Sequence, residues 1–140
     1  MRAILLIVAL GVSACASNPD AGSMAADMSA TGSASADRLP PQTLAAGECG
    51  LFGWDAVAAT RFVFFAKGGA ALYADGQSIR SMRSEGAFPA TDYGPVQIEL
   101  GPPDALIDGV RYPEARLTAL MDDGYTRVQP LVMLESCRGN

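Results

Sequence analysis

Three cysteines, one lysine and no histidine bound the chemistry open to this chain. Without histidine, the commonest general base and the commonest metal ligand are both missing. The serines after Cys49 are Ser78, Ser81, Ser84 and Ser136, and none lies in a Gly-x-Ser-x-Gly elbow. A Ser-Lys dyad would need the sole lysine, Lys67, which stands before Gly68-Gly69 and reads as a hairpin tip. A phosphate cradle at the same glycines would need a helix behind it, whereas Ala70-Ala71-Leu72-Tyr73 reads as strand. The carboxylates Asp104, Asp108, Glu114, Asp122 and Asp123 gather loosely. Asp122-Asp123-Gly124 offers too few oxygens for a calcium loop, so these acids read as turn residues. A glycosidase-like carboxylate pair depends on distances that sequence does not give, and stays open as a hydrolase alternative. The expectation is a non-enzymatic protein with no metal and no cofactor.

Binding is the better prospect. The segment 80–95 lacks alternation and carries Arg80, Arg83, Phe88 and Tyr93. A long irregular loop on a β scaffold is a usual place for recognition, though an ordinary solvated crossover reads the same way. Trp54, after Gly53, is expected to pack within the domain over its cystine, with ligand binding as the alternative. The net charge of −5 argues against nucleic acid and against direct binding of anionic lipid headgroups.

The elements that must carry these residues are strands. Residues 60–66 (TRFVFFA) are dense in aromatic and β-branched side chains. Strict alternation there puts Phe62 and Phe64 on one face, and Val63 and Phe65 on the other. Residues 96–100 (VQIEL) alternate cleanly. Asp75-Gly76, Asp108-Gly109 and Asp123-Gly124 mark hairpin turns. A two-residue loop at the first would set Leu72 opposite Ile79. The third would join 116–121 to 125–129, with Pro130 forcing a bulge or an edge. About seven or eight short strands imply an all-β fold, a small antiparallel barrel or sandwich. Residues 15–47 are rich in Ala, Ser, Gly and Asp, without apolar periodicity, and are expected to form a flexible linker before a domain at 48–140.

The first residues set the compartment. Arg2 precedes an apolar run, residues 3–12 (AILLIVALGV), that is too short to span a bilayer and fits a signal peptide at 1–14. Val12-Ser13-Ala14-Cys15 then resembles the lipobox of bacterial lipoproteins. The resemblance implies cleavage before Cys15, lipid on its thiol, and membrane anchoring through more than one acyl chain. Ala16 in place of Asp implies an outer-membrane lipoprotein with its domain in the periplasm. Ordinary secretion is the alternative, since Ala14-Cys15-Ala16 also fits the general signal peptidase. With Cys15 lipidated, Cys49 and Cys137 remain as an even pair in an oxidising compartment, and a disulfide between first and last strands is expected. Two free buried thiols are the alternative.

Two further resemblances concern the domain. The run 48–54 (ECGLFGW), followed by Arg61-Phe62-Val63-Phe64-Phe65 and a late Cys, resembles an uncharacterised group of Gram-negative envelope domains. Residues 64–72 (FFAKGGAAL) resemble a stretch of the membrane-bound inhibitors of C-type lysozyme. That likeness implies a periplasmic binder using Lys67. The upstream Ser-Gly-x-x-Tyr element of that family is absent here. The leading expectation is an anchored β domain that binds or supports an envelope protein or peptidoglycan.

Overall fold

The computed structural model describes residues 36–139. The residues expected to form the leader, the lipobox and most of the linker, 1–35, lie outside the described residues. The fold is all-β, with eight antiparallel strands: β1 (Cys49–Asp55), β2 (Phe62–Lys67), β3 (Ala70–Ala74), β4 (Ile79–Arg83), β5 (Val96–Glu99), β6 (Asp104–Leu106), β7 (Gly109–Leu120) and β8 (Thr126–Cys137). They form one sheet in the order β4-β3-β2-β1-β8-β7-β5, with β6 on β7. The sheet curls into a half-barrel, and β4 and β5 end it without pairing to each other.

First and last strands pair as expected, with Cys49 directly opposite Cys137 and bonded to it at a Cα–Cα distance of 3.9 Å. The hairpins exist where the Asp-Gly pairs stand, but their registers differ. Leu72 faces Ser81 and Ala74 faces Ile79, so the first turn is a four-residue loop, Asp75 to Ser78. The reason is the Asp75 carboxylate, which accepts the Gln77 and Ser78 amides at 2.7 Å each and closes the loop from within. The shift is by two residues, so every side chain keeps its face. In the second hairpin Leu106 faces Gly109, which makes Ile107-Asp108 the loop. Gly109 serves packing there, since a Cβ on it would lie 2.2 Å from the Glu135 carbonyl oxygen. In the third, Leu120 faces Thr126, and Pro130 lies within β8 opposite Arg116. The irregularity expected at Pro130 falls on β7, between Tyr112 and Ala115.

Burial divides the sheet into two faces. The main core gathers Leu51, Val63, Phe64, Tyr73, Leu117 and Met133, among others. A second cluster on the other face holds Leu39, Phe65, Leu72 and Ala74, flanked by Leu44, Phe52, Phe62 and Ile79. Strict alternation in β2 is therefore broken. Gly53 faces Phe64 while Trp54 faces Phe62, which leaves Val63 as an extra residue. This bulge turns Val63 and Phe64 together into the main core and swings Phe62 to the opposite face.

The second face is covered by a strap, residues 36–47, which were expected to be linker. Leu39 is only 4% exposed, and its amide donates to the Phe62 carbonyl at 2.6 Å. Further along, the Gly47 amide donates to the Arg138 carbonyl at 2.8 Å. Leu44 seats over Gly50, where a Cβ would come within 2.9 Å of it. Leu39, buried, and Leu44, half-buried, pack against aromatic rings and offset the ordering entropy that a purely polar segment cannot.

Candidate functional site

Between the strap and the outer face of β1, β2 and β8 runs an open groove of about 1000 Å³. Phe52, Trp54 and Phe62 form its floor, and Leu39, Pro40, Pro41 and Leu44 its apolar wall. Phe52 and Trp54 sit two residues apart on β1, so both side chains leave on one face. The β2 bulge supplies Phe62 as their neighbour. The rings of Phe52 and Trp54 are 6.3 Å apart and inclined by 20°, and those of Phe52 and Phe62 are 6.1 Å apart at 28°. Trp54 and Phe62 approach to 5.3 Å. All three are half-buried, leaving part of each ring to solvent.

The rim is polar. Arg38, Gln42 and Thr43 come from the strap, and Thr60, Ser136 and Arg138 from the sheet side. Arg138 Nη1 donates to the Leu44 carbonyl at 3.0 Å, which fixes that guanidinium at the C-terminal end of the wall. Among the described residues, no carboxylate lines the groove.

The residues singled out from sequence lie elsewhere. Lys67 ends β2, and its ammonium is 3.2 Å from Glu48 Oε2 and 3.4 Å from Oε1. The Ala45 amide and this ammonium hold the Glu48 carboxyl below its ordinary pKa. Arg80 lies within β4, not in a loop. Its guanidinium is 2.6 Å from Asp75 and 3.1 Å from Asp122, and those partners raise its pKa. Phe88 packs against the main core, and Tyr93 is 2% exposed with its ring edge-on to Phe64 at 5.7 Å. Burial pushes the Tyr93 hydroxyl up to about 12. The irregular segment, residues 84–95, thus turns its aromatics inward. Of the expected set, only Arg83 borders open space, a 570 Å³ recess shared with residues 84–94. Trp54 sits five residues along β1 from Cys49 and packs on Phe52 and Phe62 rather than over the cystine.

Two carboxylates are buried among the described residues, Asp55 and Asp75. Each organises a loop. Asp55 accepts the Ala58 and Val57 amides and the Gln129 amide nitrogen, and its pKa is lowered chiefly by the Ala58 bond. No group of three or more Cys, Asp or Glu side chains among the described residues is arranged to hold a metal ion.

The strap was missed because its composition matches the segment before it. Leu39 and Leu44 were the available signal, being the only leucines between Cys15 and Cys49, with Pro40-Pro41 stiffening the chain between them. Comparison of the chain with protein-family models, with curated proteins and with solved structures gave no match.

Proposed function

We propose that this chain is a non-enzymatic lipoprotein of the outer membrane, anchored through lipid on Cys15, whose β domain binds an envelope partner in the aromatic groove. The observation that carries the reading is the floor of Phe52, Trp54 and Phe62, three partly exposed rings beside an apolar wall with a polar rim. Concave, mostly apolar sites with a few oriented polar groups are the usual form of binding sites. The two buried carboxylates support a non-enzymatic reading, since each is already engaged by loop amides. The lipobox supports the anchor, and the acidic surface fits a soluble domain in the periplasm.

Two measurements test this. Cys15→Ser should move the protein from the membrane to the soluble fraction, and continued sedimentation with membranes would remove the anchor. A photo-crosslinking residue in place of Thr60, on the groove rim, should give a defined adduct in intact cells. The same residue in place of Asp123, exposed and away from the groove, should not. No adduct from position 60 would refute binding in the groove.

A further inference from the structure

The groove's chemistry narrows its occupant. The chain carries a net charge of −5, yet the groove has Arg38 and Arg138 on its rim and, among the described residues, no carboxylate. The two guanidinium groups stand at opposite ends of the wall, Arg38 beside Leu39 and Arg138 on the Leu44 carbonyl. A ligand that satisfies both carries negative charge at more than one point along its length. The floor excludes one kind of partner. β1, β2 and β8 are interior strands of the sheet, each paired on both sides, so no floor backbone is open to an added peptide strand. The open form disfavours another, because an acyl chain gains most where it is enclosed on all sides. Flat groups with a C–H face and a hydroxylated rim remain. The negative face of an aromatic ring attracts the C–H face of a pyranose, and hydroxyls match Gln42, Thr43 and Ser136.

We infer that the groove binds a carboxylated saccharide, its sugar rings on Phe52, Trp54 and Phe62 and its carboxylates on Arg38 and Arg138. The inference rests on the proposed binding role and specifies its ligand. Trp54 is the only tryptophan in the chain, so its emission reports the groove floor directly.

The full chain in detergent is titrated with a tetrasaccharide of alternating N-acetylglucosamine and N-acetylmuramic acid, which carries two lactyl carboxylates, and with chitotetraose, which carries none. The expected result is a saturable change in Trp54 emission, with chitotetraose about tenfold weaker. Arg38→Gln, a change at an exposed position, should weaken the carboxylated sugar by a similar factor and leave chitotetraose binding as it was. Equal binding of both sugars with no effect of Arg38→Gln overturns the inference. So does no response to either sugar up to about 10 mM. In either case the adduct at position 60 separates the claims. A protein adduct keeps the groove as a binding site while the saccharide falls, and no adduct removes both.

Discussion

Arg80 Nε lies 2.6 Å from Asp75 Oδ2, and this contact clamps the β3–β4 loop onto its own strand. Arg127 reaches the same loop from β8 and donates to the Asp75 carbonyl. The loop is therefore held once within its own hairpin and once across to β8.

Acid should weaken this clamp. Burial disfavours ionised Asp75, but the Ser78 and Gln77 amides and Arg80 outweigh burial and lower its pKa from 3.8 to about 2. A depressed carboxylate pKa contributes stability that is complete above the unfolded value and is lost as pH falls through the folded one. The expected loss is about 2 kcal/mol between roughly pH 5 and pH 1. Urea midpoints measured across that range check it. Asp75→Asn should cost about 2–4 kcal/mol at pH 7 and flatten the acid limb. A mutant with the wild-type slope would mean another group governs the limb.

The strap belongs to the folded unit, so Leu39→Ala should destabilise by about 2–4 kcal/mol. The same change removes part of the groove wall, and Trp54 emission should shift to the red. Denaturant unfolding followed at Trp54 gives both readouts. A change within about 0.5 kcal/mol would mean that the strap contributes no packing energy.

Gly109→Ala should cost about 1–3 kcal/mol, because the added methyl meets the backbone of β8 at Glu135. Gly139→Ala, with open space around it, serves as the neutral control. Equal melting of the two variants would contradict the close approach.

Reduction of Cys49–Cys137, which joins residues 88 apart, should lower stability by about 2–4 kcal/mol, roughly 10–20 °C in melting temperature. The double variant Cys49→Ser with Cys137→Ser should melt with the reduced protein. A difference between them would point to incomplete reduction or to strain from serine.

Lys67 is expected to leave C-type lysozyme alone, since Glu48 already holds its ammonium. A turnover assay with purified full chain checks this. Inhibition that disappears in Lys67→Ala would restore the inhibitor-like reading.

Strand content and the cystine were legible because period-two patterning and cysteine parity act locally or through simple counting. Registers were less so. An Asp-Gly pair marks a turn, but Asp75 uses its side chain to lengthen the loop, and Gly109 is there for β8 rather than for positive φ. The groove was not legible as a site. Trp54 was expected over the cystine and Phe62 in strand packing, and the bulge at Val63 that decides which face Phe62 joins follows from pairing with β1. Phe88 and Tyr93 looked like loop aromatics because nothing local reveals that their segment folds back over the core.

The strap gives the domain a mechanical order of failure. Residues 36–47 are the stretch between the N-terminal side of the chain and Cys49, and they hold the sheet by Leu39, Leu44 and a few backbone bonds. A pull on the N-terminal side of the chain loads the strap first and peels it as a zipper opens. At Cys49 the load passes through the cystine into β8, and unzipping stops there. The half-barrel stays intact while one wall of the groove is stripped away. Any ligand that bridges strap and sheet would resist that peeling, and would be released once the strap has come away.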